Sequence, residues 1–144
     1  MINLSLQVFC NRIVAAGRIT AEDVQALTRN VLPDGLTCRD EADMLIALDR
    51  VATSDAAFGD YLVTSVVDFA VWGERPTGYI DAEVARWLVG SLGNGSGPTA
   101  LAARIAREVV REAQASDEAL IAFALAANRH IAETKASAMM LLAA

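Results

Sequence analysis

Residues 55–72 read Asp55-Ala56-Ala57-Phe58-Gly59-Asp60-Tyr61-Leu62-Val63-Thr64-Ser65-Val66-Val67-Asp68-Phe69-Ala70-Val71-Trp72. Phe58, Tyr61, Leu62, Val63, Val66, Val67, Phe69, Ala70 and Trp72 fall on more than one side of a helix, and the charges within the run are Asp60 and Asp68. A helix with one apolar stripe lies on a surface, whereas one that is apolar nearly all round is enclosed by others. The run therefore predicts the central, most buried helix of a bundle, opened by Asp55. Asp60, Tyr61 and Asp68 invite comparison with a general acid, because burial raises a carboxyl pKa. Most such acids reach the helix edge and stay solvated.

On either side of this helix, capping oxygens recur with acids three or four residues later, the signature of helix N-termini. Thr20 with Asp23 opens a helix bearing Val24, Leu27 and Val31, and Pro33 stops it. Thr37 with Asp40 and Glu41 opens the next, whose buried face is Leu45, Leu48, Val51 and Ala52. Asp81 with Glu83 opens a helix carrying Val84, Trp87, Leu88 and Leu92. From Thr99 onward Ala102, Ile105, Ala106, Val109, Val110 and Ala113 repeat at helical spacing. Ser116 with Asp117 and Glu118 caps a last helix through Leu120, Phe123, Ala124, Ala127 and Ile131 toward Leu142. Met1 to Gly17 reads as a core helix, although Leu4, Leu6 and Val8 also alternate as a strand would. The expectation is an all-α, compact bundle of about seven helices with a hydrophobic central helix, in a single domain 1–144. Gly93 to Pro98 reads as a hinge.

Composition agrees. The chain is 54% hydrophobic, only 6% aromatic, and contains 28 alanines in 144 residues, which favours helix before any pattern is read. Twelve Lys and Arg against eighteen Asp and Glu give a net charge of -6, with no basic run to meet a phosphate backbone, so nucleic acid is not an expected partner. Asn11 and Arg12 interrupt the N-terminal apolar run, and Asn128, Arg129, His130, Glu133 and Lys135 the C-terminal one, so no membrane span is expected. Cys10 and Cys38 read as reduced thiols of a cytoplasmic protein, though spacing alone leaves a bridge open. His130 is the one histidine, which removes two-histidine zinc sites and multi-histidine relays. No catalytic constellation emerges.

Three helix starts look alike: Gly17-Arg18-Ile19-Thr20-Ala21-Glu22-Asp23, Gly35-Leu36-Thr37-Cys38-Arg39-Asp40-Glu41 and Gly78-Tyr79-Ile80-Asp81-Ala82-Glu83. Each is Gly, an apolar residue, a cap and acids, which is how a well-made N-terminus is built. Asn30 to Glu41 also lies over a twelve-residue calcium loop, with Gly at the sixth place and Glu at the twelfth. Leu32 and Pro33 stand at its third and fourth places, leaving few oxygens. A weak divalent-cation site on Asp34, Asp40 and Glu41 is the one cofactor expectation. Trp72, Tyr79 and Trp87 outline a small-molecule pocket, against which core packing is favoured.

Asp34-Gly35-Leu36-Thr37 followed by Asp40-Glu41 and an apolar helix resembles the TerB-like helical family, linked to tellurite resistance. Thr77-Gly78-Tyr79-Ile80-Asp81 to Trp87-Leu88 resembles a group of uncharacterised bacterial helical proteins with the same layout. The resemblance implies an all-helical bundle and a divalent cation on acids near Asp34 and Glu41, with no catalytic activity.

The C-terminal Met139-Met140-Leu141-Leu142 has no charge after Lys135 and is costly to leave in water. It either folds back on its own bundle or forms an interface, and methionine suits an adaptable surface. The functional expectation is a non-catalytic cytoplasmic protein that acts through a protein partner or itself, as a homodimer, with a TerB-like cation-binding domain as the alternative.

Overall fold

A computed structural model describes residues 3–143. It contains seven α-helices and four two-residue strands, an all-α fold, and divides into two compact units, 1–73 and 74–144.

In the first unit, α1 (Leu4–Ala16) leads through β1 (Arg18–Ile19) into α2 (Ala21–Ala26), and α3 (Arg39–Val51) leads through β2 (Thr53–Ser54) into α4 (Ala56–Asp68). The stretch 4–9 is thus helical, with Asn3 as its N-cap, without the alternative strand. β1 and β2 pair in parallel, Arg18 opposite Thr53, and the Thr53 N–H donates to the Gly17 carbonyl at 3.0 Å. Helices α2 and α4 each end in a π-helical turn, Leu27–Val31 and Phe69–Gly73. The Leu32 N–H reaching the Leu27 carbonyl at 2.8 Å closes the first of these. Leu6, Phe9, Ile13, Ile19, Leu27, Leu45, Phe58, Leu62 and Val66 form the core.

The second unit repeats this plan from β1 onward, without a counterpart of α1. β3 (Tyr79–Ile80) opens α5 (Ala82–Leu92), and α6 (Ala100–Glu112) leads through β4 (Ala115–Ser116) into α7 (Glu118–Ala143). β3 and β4 are again parallel, and the Gln114 N–H donates to the Gly78 carbonyl at 2.7 Å as Thr53 does to Gly17. Helices α3 and α6 have 13 residues each. Gly17 and Gly78 both take positive φ, 80° and 85°, which glycine adopts without the steric cost a Cβ would add. Ile80, Val84, Leu88, Leu92, Ile105, Val109 and Leu120 are the core together with Ala102, Ala103, Ala106, Ala124 and Ala127, and α6 packs against α7. The Asn128 amide donates to the Ala103 and Ala124 carbonyls at 2.9 and 2.8 Å.

Three details of the helix starts differ from the sequence reading. Gly17 and Gly78 begin equivalent strand–helix turns, but Gly35 leads into no strand; the partners of β1 and β3 are Thr53–Ser54 and Ala115–Ser116. The N-cap of α3 is Cys38 rather than Thr37, and Cys38 makes no side-chain capping bond. For α7 the capping carboxylate belongs to Asp117, which accepts from the Ala119 N–H at 3.0 Å, while Ser116 sits in β4. A capping oxygen in sequence locates a helix start to within a residue because its neighbours carry oxygens too. Among the described residues no helix is long and apolar enough to cross a membrane.

Candidate functional site

Helices α1 and α3 lie side by side in the same direction. Asn3, just before α1, meets Glu41 in the first turn of α3, and Val14 and Val51 near their far ends line one groove. The near end is organised by Glu41. Its side chain is 7% exposed; Oε1 accepts from both the backbone N–H and the hydroxyl of Thr37 at 2.8 Å, and Oε2 accepts from the Asn3 amide at 2.9 Å. The Asn3 carbonyl oxygen meanwhile caps α1 by accepting from the Leu6 N–H at 2.9 Å. Asn3 therefore spends one end of its amide on each helix. Burial pushes the Glu41 carboxyl up, and the bonds from Asn3 and Thr37 together more than reverse this, leaving its pKa below the ordinary value.

Around this node lies a cleft of about 340 Å³ lined by Asn3, Gln7, Cys38, Asp40, Glu41, Asp43 and Met44. Asp40 is exposed and Asp43 half-buried. Asp34 lies on the turn before α3 and is not among the lining residues, so the structure brings together two of the three acids singled out in sequence. Asn30 is in the π-helical turn rather than in a loop. Among the described residues no group of three His, Cys, Asp or Glu side chains is placed to hold a metal ion.

Farther along the same pair of helices the cleft becomes wholly apolar. Cys10, Val14, Met44, Ala47, Leu48 and Val51 line a groove of about 260 Å³. Cys10 and Cys38 are free thiols, half-buried at different levels of the helix pair, and burial pushes the Cys10 thiol up.

The chain matches no known family model, no curated protein and no solved structure.

The aromatic residues differ from expectation. Trp72 and Tyr79 are both 45% exposed, so neither is core, and Trp87 is half-buried. Their position at the end of α4 and in β3 places them where turns leave rings at the surface. The Tyr79 hydroxyl donates to Gln114 at 2.9 Å, tying β3 to the residue before β4. On α4, Asp60 and Asp68 are exposed. Tyr61 is half-buried and its hydroxyl has no hydrogen-bond partner among the described residues; burial pushes its phenol up, and the Glu41 charge adds a further push.

The end of α7 is the most exposed apolar feature. The helix continues without a break to Ala143, and residues 132–142 are exposed. Met139, Met140, Leu141 and Leu142 are 70 to 88% exposed. Of the two fates weighed for this segment, packing back on the bundle is not what the structure has. Sequence reasoning missed Asn3 and the groove residues Cys10, Val14 and Met44, and it placed Val51 on the buried face of α3, where the structure leaves it 57% exposed beside the groove because no described element of its unit covers that side. The signal for the groove was in the text of α3, where Met44, Ala47, Leu48 and Val51 are apolar beyond the narrow stripe that one neighbour would cover.

Proposed function

We propose that this chain is a non-catalytic cytoplasmic protein that works through protein contacts, self-association among them, with the end of α7 as its contact element. The observation that carries the reading is the exposed run Met139 to Leu142 on a helix that is packed as far as Ile131 and then stands clear. Four large apolar side chains in water are unfavourable by roughly 1.5–3 kcal/mol each relative to full burial, which gives any covering surface a substantial return. Their unbranched and flexible Met members fit partners of irregular shape.

Removing residues 136–144 tests this. The shortened chain is expected to lose mass in solution relative to the full chain, and amide exchange along 132–142 is expected to slow as the full chain is concentrated. Equal masses and unchanged exchange refute the reading.

A second reading rests on the acidic cleft, where Asp40 and Asp43 stand beside Cys38. It is the TerB-like alternative, a divalent-cation domain of stress or tellurite response. Because Glu41 already accepts three hydrogen bonds, the cation would have to rely on Asp40, Asp43 and water. A metal-specific rise in melting temperature supports it, since a ligand of the native state stabilises that state; a flat response to Ca²⁺, Mg²⁺ and transition metals ends it.

A further inference from the structure

We infer that the end of α7 is received by the groove between α1 and α3 of a second copy of this chain. The inference rests on the contact role proposed for α7 and names the surface that takes it. Both surfaces are open: the groove is lined without a polar atom, and the helix end is exposed on every side from residue 132.

The match lies in charge and spacing. On α3, Asp40, Met44 and Ala47 follow one another at i, i+4 and i+7, so they stand in one row, which Val51 extends by another turn. On α7, Lys135, Met139 and Leu142 have the same i, i+4, i+7 spacing. Laid side by side in the same direction, Lys135 meets Asp40, Met139 meets Met44, and Leu142 reaches Ala47 and Val51. Lys135 is the last charged side chain of the sequence, and Asp40 lines the acidic cleft that shares Met44 with the apolar groove. The opposite direction would set Lys135 against the apolar Val51, far from Asp40. Opposite charges at one end and apolar side chains at the other therefore select one register, the way paired helices use polar positions to fix alignment.

The mass of the full chain by sedimentation velocity, from low micromolar to hundreds of micromolar at low salt, tests this with variants at exposed positions. The parent is expected to associate. Met139→Glu with Leu142→Glu, and separately Ala47→Arg, are expected to hold the chain at monomer mass, with the parent's melting temperature at concentrations where the parent too is monomeric. Asp40→Lys or Lys135→Glu alone should weaken association by roughly three- to tenfold, and the two together should restore it. A parent that stays monomeric overturns the inference, as does a double charge reversal that restores nothing. Association abolished by the α7 variant but untouched by Ala47→Arg and Asp40→Lys places α7 on another surface; the inference then falls while the contact role of α7 stands. Association that none of the variants changes overturns both.

Discussion

Replacing Glu41 by alanine removes three hydrogen bonds to one charged acceptor, leaving the Thr37 N–H, the Thr37 hydroxyl and the Asn3 amide without it. Bonds to charged groups contribute about 1.5–3 kcal/mol each, but deletion also relieves the cost of keeping a carboxylate out of water, and Thr37 is exposed enough to be rehydrated. Setting the second effect against the first leaves a net loss of about 3 kcal/mol. With unfolding entropy near 2.1 cal/mol/K per residue, a single transition of the whole chain would fall by about 10 °C, and by about twice that where the 1–73 unit melts alone. Glu41→Gln discriminates the cause. Its carbonyl can still accept from Thr37, but its NH₂ faces the Asn3 NH₂, and Asn3 cannot flip without losing the cap on Leu6. Gln should therefore fall between parent and Ala. The pH dependence follows from the lowered pKa: the stabilisation is complete above the ordinary glutamate range and is lost as pH falls through the folded-state value, so the gap between parent and Gln closes on acidification. Thermal melts by circular dichroism from neutral to acid pH measure both effects. A shift under about 2 °C for Ala, or a gap that widens in acid, would refute the account of Glu41 as a joint between α1 and α3.

Asp23 and Arg12 form an ion pair at 3.0 Å, yet they should not be equivalent in mutation. Asp23 also accepts from the Thr20 N–H and hydroxyl in a capping box, so Asp23→Ala should cost about 1–2 kcal/mol in urea unfolding, against less than about 1 for Arg12→Ala, whose side chain is largely exposed. Gly17→Ala should cost about 1–2 kcal/mol through its left-handed backbone alone, because a Cβ there meets nothing within 4 Å; Gly17→Asn should recover part of the loss, and equal stability of Ala and Gly would refute the backbone account.

How much of this was legible in sequence can be read at particular residues. The caps Thr20 and Asp81 each accept a backbone N–H of the first turn as their spacing predicts, and Asp55 does so at the start expected for the central run, because capping is a contact between residues two or three apart. The apolar run 58–70 supplies buried residues to its unit for the same local reason: composition over four turns decides how many sides need cover. The repeated plan of the two units was half visible. Gly17 and Gly78 announce it, but the matching Thr53-Ser54-Asp55 and Ala115-Ser116-Asp117 share only Ser-Asp and are too short for periodicity to register.

By itself, then, the chain determined helix positions, helix starts to within a residue and the apolar character of its C-terminal end, since each depends on neighbours within a few residues. Tertiary structure decided what those elements face. Glu41 reads locally as an acid of the first turn of α3, and only the fold brings Asn3, 38 positions earlier, onto its oxygen. Trp72 and Tyr79 could be read as core until the turns that carry them left both at the surface. The groove on α1 and α3 exists only because two helices with apolar flanks run in parallel, and Met139 to Leu142 are exposed only because α7 outruns the helices beside it. Which groups meet across long separations, and which are left uncovered, is set by packing that no local spacing encodes.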